Sequence, residues 1–116
     1  MTEAATLQAI RLDLGREPSI RLFRNNCGVL RDPTGRAVRF GLHPGSGDLI
    51  GWRTITITPE HVGQRLAVFA SIEVKTDRGR AREDQIHWAL VVASAGGLSG
   101  VARNPADARM LLGVAP

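Results

Sequence analysis

Apolar residues at Leu7, Ile10 and Leu14 recur three and four positions apart, the period of an α-helix. This spacing predicts a helix over residues 3–14. Thr2 suits its N-cap and Glu3 suits its first turn, while Gly15 and Pro18 end it. The period then shortens to two. Residues 19–29 alternate, with Ile20, Leu22 and Arg24 on one side and Arg21 and Phe23 on the other. They predict a strand closing at Asn25-Asn26-Cys27-Gly28. After the turn Asp32-Pro33-Thr34-Gly35, residues 37–42 predict a second strand, which can form a hairpin with the first. A loop, His43-Pro44-Gly45-Ser46-Gly47, leads into a strand from Asp48 to Trp52, and the alternation at residues 54–58 extends it.

Residues 59–64 are polar and turn-like. Residues 66–75 form the most strand-like run and are expected to be the central strand. Ile86, Leu90 and Ala93 then return to helical spacing over residues 83–95, with Gly96-Gly97 as the stop. Residues 98–102 predict a short strand. Asn104 as N-cap and Pro105 at the first helical position start a last helix, running to about Leu112. The order is α-β-β-β-β-α-β-α. No repeat, low-complexity tract or linker interrupts it. The expectation is a single domain over residues 1–116, of α/β class, with a mixed β-sheet flanked by helices.

Composition narrows this picture. The chain has 116 residues, 43% hydrophobic and 22% charged, which excludes a disordered tail, a collagen-like repeat and a disulfide scaffold. The net charge of +4 fits an anionic partner such as nucleic acid, and equally fits a merely soluble domain. Cys27 is the single cysteine, expected as a small buried filler, so no intrachain disulfide can form. With His43, His61 and His87 scattered, it offers no zinc-site spacing. The first ten residues lack a signal-peptide pattern, and the longest apolar run, residues 88–93, is far below the ~20 residues of a membrane helix. A soluble, cytoplasmic protein with no membrane partner is expected. Of the 15 basic residues only one, Lys75, is a lysine.

Lys75 follows Glu73 by two positions, so both side chains share one face of their strand, while Val74 points to the other face and into the core. The plain reading of this pair is a salt bridge at the exposed end of a strand. Asp48 adds a second carboxylate, at a strand start just after a Gly-Ser-Gly loop that leaves a ligand room to approach. Together the three suit a Mg²⁺ site, which uses one or two carboxylates plus water and substrate phosphate. A lysine beside it can orient a water and stabilise phosphate charge.

The ordered set Arg24-Asn25-Asn26, Gly28, Val38-Arg39-Phe40-Gly41, Gly45-Ser46-Gly47-Asp48-Leu49-Ile50-Gly51-Trp52, Ile72-Glu73-Val74-Lys75-Thr76, Gln85, Gly96-Gly97 and Val101-Ala102-Arg103 resembles the VRR-NUC domain, the virus-type replication-repair nuclease. That domain belongs to the PD-(D/E)XK nuclease superfamily. The resemblance runs from about residue 3 to residue 112. It implies a restriction-endonuclease-like core and a Mg²⁺- or Mn²⁺-dependent phosphodiesterase acting on DNA, from a bacterial cell or a phage. It implies Asp48 and Glu73 as metal ligands together with the Val74 carbonyl, Lys75 orienting or activating the hydrolytic water, and Gln85 supporting the site. An acidic residue on the first helix near the metal would be Glu3, with Gln8 as an alternative. Stand-alone members look like homodimers that cut branched DNA such as four-way junctions. Two departures stand out. Gly47-Asp48 replaces the superfamily's Pro-Asp, and Ala81 lies where a Ser or Thr cap is usual before the glutamine helix.

Arg24, Asn25 and Asn26 are candidate phosphate contacts, or else a solvated strand end with turn-forming asparagines. Arg39, Arg78, Arg80 and Arg82 are further DNA-binding candidates, or simply solvated charges. His43 is either a helper at the leaving group or an incidental loop residue. Trp52 and Trp88 read as core residues rather than base-stacking platforms. Two rival functions stand beside the nuclease: a non-catalytic DNA-binding or assembly module on the same fold, and cleavage within a restriction or phage-defence system.

Overall fold

The computed structural model describes residues 2–115. By its internal contacts the chain divides into two compact units, one ending at Ile55 and the other beginning at Thr56.

In the first unit, α1 spans Glu3–Leu14. The Thr2 hydroxyl accepts from the Ala5 N–H at 3.1 Å, satisfying one of the donors that a helix start leaves free. Gly15 caps the other end. Strand β1, Ile20–Arg24, pairs antiparallel with β4, Leu49–Arg53, in the register Ile20↔Arg53 to Arg24↔Leu49. Phe23 and Trp52 meet across this ladder with ring centroids 5.6 Å apart. Strands β2, Gly28–Arg31, and β3, Ala37–Phe40, form an antiparallel hairpin. Its turn is built on Asp32, whose Oδ1 accepts from the Thr34 hydroxyl and from the N–H groups of Thr34 and Arg36.

The run expected as one strand over residues 19–29 is therefore two strands with different partners. The break falls after Asn25, whose N–H makes the last bond toward β4, at the Asp48 carbonyl, and whose side chain is taken up by residues 42–47. The expected extension through residues 54–58 is absent as well. The Thr54 N–H still donates to the Ser19 carbonyl, but β1 begins at Ile20 and offers nothing beyond. Alternation without a partner edge does not make a strand.

In the second unit, a short 3₁₀ turn at Pro59–His61 precedes β5, Ala70–Val74. Strand β5 is shorter than the expected residues 66–75, because its partner β6, Leu98–Ala102, begins only opposite Ala70. The pair is parallel, so the chain must cross over between the two strands, and α2, Glu83–Ser94, makes that crossover. Helix α2 stops where Gly96 adopts φ +98. There the Gly97 N–H reaches the Val92 carbonyl and the Gly96 N–H the Ala93 carbonyl, a Schellman closure that favours glycine at this position. The Ser99 hydroxyl donates to the Ala89 carbonyl at 2.7 Å, fixing α2 over β6. Helix α3, Pro105–Leu111, starts with Asn104 as its N-cap and lays Leu111 against Gly100. Val92 and Ala102 are the buried hydrophobic residues among those described. In place of one mixed sheet, the described residues form three two-stranded ladders, two antiparallel and one parallel. The mixed α/β class and the three helices agree with the sequence reading.

Candidate active site

The side chains of Ser71, Glu73 and Lys75 alternate onto the face of β5 that meets α2. Helix α2 has no Ser or Thr at its start. Gln85, three residues after the N-cap Arg82, reaches back so that its Oε1 accepts from the Arg82 N–H at 2.9 Å. This commits the carbonyl end of the amide and turns its NH₂ end toward β5. Gln85 Nε2 donates to Glu73 Oε1 at 2.9 Å, and Lys75 Nζ lies 3.2 Å from the same oxygen. Two donors therefore pin Oε1. Glu73 Oε2 makes no hydrogen bond or ion pair among the described residues. The Lys75 side chain is 19% exposed and that of Glu73 37%, so the pair is partly sheltered yet open to a ligand.

The backbone beside it has a defined direction. The Leu98 N–H donates to the Phe69 carbonyl and the Lys75 N–H to the Ala102 carbonyl, so the odd-numbered residues of β5 supply its ladder to β6. The alternation of a parallel ladder turns the Val74 carbonyl toward the opposite edge. The Val74 side chain is 75% exposed, which corrects the expectation that it enters the core. The reason is topological: within this unit α2 covers the Glu73 face, and α3 packs on β6.

Two supporting contacts carry little sequence signal. The Trp88 indole N–H donates to the Ser71 hydroxyl at 2.8 Å, one helical turn beyond the Gln85–Glu73 bond. The Trp88 ring stands edge-on to Phe69 at 6.3 Å, a packed residue as expected. Arg103 donates to the carbonyls of Thr76 and Gly79 and so braces the loop after β5. Ser71 and Trp88 could have been found at i−2 of Glu73 and i+3 of Gln85, and Arg103 stands in the ordered motif set, which did not say what it touches. A cavity of about 380 Å³ runs along this side of α2, between Glu73, Gln85, Trp88, Leu90 and Val101.

In the first unit, Asp48 immediately precedes β4, and its side chain is 62% exposed. Arg24 Nη1 donates to the Asp48 carbonyl at 3.0 Å and lies 3.5 Å from its Oδ1. Asn25 bonds to the 42–48 loop at Leu42, Ser46 and Gly47. His43 Nδ1 lies 2.8 Å from the Pro44 carbonyl. Cys27 is exposed, not the buried filler expected, with its Sγ 3.4 Å from Ser46 Oγ. Asn26, Arg39 and Glu3 are exposed. In the second unit Arg78, Arg80 and Arg82 are exposed as well. Arg82 pairs with Asp84 at 3.1 Å, which holds the Asp84 carboxyl below the ordinary carboxylate range.

The structure thus brings Glu73, Lys75 and Gln85 together in one unit and gathers Arg24, Asn25 and Asp48 in the other. Among the described residues no three His, Cys, Asp or Glu side chains converge into a ready-made cage. A Mg²⁺-type ion does not require one, because it binds through one or two carboxylates and keeps waters and phosphate oxygens. A carboxylate with one oxygen pinned and the other free fits such a hard cation. No helix among the described residues is long and apolar enough to cross a membrane.

The sequence profile of the VRR-NUC domain family matches residues 31–105. No curated protein and no solved structure matches the chain. The VRR-NUC domain has a PD-(D/E)XK-like nuclease fold. A nuclease domain implies DNA as the substrate, and domains of this kind typically use divalent metals. The match covers most of the chain, including Asp48, Glu73, Lys75 and Gln85, and the chain belongs to the VRR-NUC domain family.

Proposed function

We propose that this nuclease domain is a Mg²⁺- or Mn²⁺-dependent endonuclease that hydrolyses phosphodiester bonds of branched DNA. The observation that carries the reading is the state of Glu73, with Oε1 held by Lys75 and Gln85 and Oε2 left free. Glu73 and the Val74 carbonyl would hold the ion, and Asp48 joins them on the strength of the family resemblance. A bound divalent cation would neutralise charge developing on the phosphate oxygens. Lys75 orients the attacking water and places its ammonium beside the phosphate. Gln85 keeps Glu73 in one rotamer. Arg39, Arg78, Arg80 and Arg82 supply positive charge for the DNA backbone. Two incisions across a junction call for two sites related by a two-fold axis, so the active species in this reading is a homodimer. It acts in the cytoplasm.

The test uses Asp48→Asn and Glu73→Gln. Each variant should lose cleavage of a branched DNA in Mg²⁺ while still binding it. Normal Mg²⁺-supported cutting by either variant refutes the assignment of that residue. Binding without cutting by the wild-type chain, in Mg²⁺ and Mn²⁺ alike, would favour the non-catalytic DNA-binding module.

A further inference from the structure

Asn25 has every polar function of its side chain engaged by one loop. Its Oδ1 accepts from the Leu42 N–H at 3.0 Å, and its Nδ2 donates to Ser46 Oγ at 2.7 Å and to the Gly47 carbonyl at 2.9 Å. A carboxamide has two N–H donors, and both are used here. The Asn25 backbone N–H donates to the Asp48 carbonyl at 2.8 Å, one step past the β1–β4 ladder. Asn25 therefore ties the start of the loop at Leu42 to its end at Ser46-Gly47, next to Asp48. The loop between those ties is His43-Pro44-Gly45, a turn closed by the Ser46 N–H on the His43 carbonyl at 2.9 Å, with Gly45 at φ +86. The chain just before it lies close against β1's continuation: a Cβ on Gly41 would come within 2.6 Å of Cys27 Sγ and 2.7 Å of the Asn26 carbonyl oxygen.

Building on the reading of Asp48 as a metal ligand, we infer that Asn25 is a positioning residue that sets the Asp48 carboxylate for the metal by bracing the 42–48 loop. It is not a DNA contact, because its amide is spent on the protein. Asn25→Asp has the same shape and turns the Nδ2 donor into an acceptor. That acceptor would face the Gly47 carbonyl, an acceptor itself, and the brace would be lost. Groups that orient a metal ligand typically contribute about 10–100-fold to metal affinity.

The experiment measures Mn²⁺ binding to the full chain by calorimetry and by the loss of free-Mn²⁺ signal in electron paramagnetic resonance. Affinity for a non-cleaved DNA in EDTA is measured alongside. Asn25→Asp should weaken Mn²⁺ binding by about tenfold or more and leave the metal-free DNA affinity at the wild-type value. Unchanged Mn²⁺ binding overturns the inference, as does a loss confined to DNA affinity. If Asn25→Asp does not fold, Ser46→Ala removes one tie and decides on the same readout. Weakened Mn²⁺ binding then supports the inference, and wild-type binding overturns it. Asp48→Asn is the parallel control. Wild-type Mn²⁺ affinity in that variant would remove the metal-ligand reading of Asp48. A loss there with no effect at Asn25 would remove only the positioning role.

Discussion

Lys75 is where the plain and the catalytic readings of one residue meet. Its ammonium lies 3.2 Å from Glu73 Oε1, which is the salt bridge that the plain reading expects. The same oxygen also takes the Gln85 amide, and a simple surface ion pair has no need of that second donor. An ammonium is a compact charge with rotatable donors, whereas a guanidinium is a rigid planar fork. At a side chain only 19% exposed, the longer, planar guanidinium would hold its donors at other positions and angles than the ammonium does beside Glu73. Lys75→Arg should therefore lower the cleavage rate by about 100-fold, the scale on which a misplaced positioning group costs rate. Single-turnover kinetics on a branched substrate measure this, and a rate near wild type would show that only the charge matters. The sequence pointed to Glu73, Lys75 and Gln85 by type and spacing. It could not show which Glu73 oxygen stays free, because that depends on how α2 begins. With Ala81 and Arg82 at its start, Gln85 serves as cap and as donor to Glu73 together.

At the scale of elements, local signals were legible and partnerships were not. The helix at Glu3–Leu14 follows from its apolar spacing and its caps, and the start of α3 from Asn104-Pro105. Where β1 ends, and why residues 54–58 are not a strand, depends on which edge lies opposite, and alternation does not encode that. Gly96 is an element-scale device with a measurable cost. At φ +98 a side chain is strained, so Gly96→Ala should destabilise the second unit by roughly 1–2 kcal/mol. Urea unfolding of the full chain checks it, and an unchanged midpoint would contradict the role given to this turn. The β2–β3 hairpin carries a pH signature. The Thr34 hydroxyl first, and then the Arg36 N–H, hold the Asp32 carboxyl below its ordinary value. A carboxyl depressed in the folded state stabilises at pH above its unfolded value, and this contribution is lost as pH falls through the folded value. Asp32→Ala should therefore flatten the acid side of the stability profile and leave its shape above pH ~5 unchanged. Thermal melts across the acid range read this directly, and an acid limb as steep as wild type would contradict it.

At the scale of the whole molecule, 15 basic residues against 11 acidic ones give a net charge of +4, compatible with a DNA partner and unable to select one. The family match turns that compatibility into a nuclease assignment. The α/β class was readable along the chain, whereas the pairing of strands into separate ladders was not, since it rests on contacts remote in sequence. On the proposed function, Glu73 serves DNA hydrolysis through a divalent ion, with its rotamer set by Lys75 and Gln85. The most direct test incubates the purified chain with an end-labelled four-way junction in Mg²⁺ or in EDTA, with Glu73→Gln in parallel at equal bound DNA. The wild-type chain should cleave in Mg²⁺ and not in EDTA, and Glu73→Gln should cleave in neither. Cleavage that persists in EDTA, or that Glu73→Gln carries out at the wild-type rate, would contradict it.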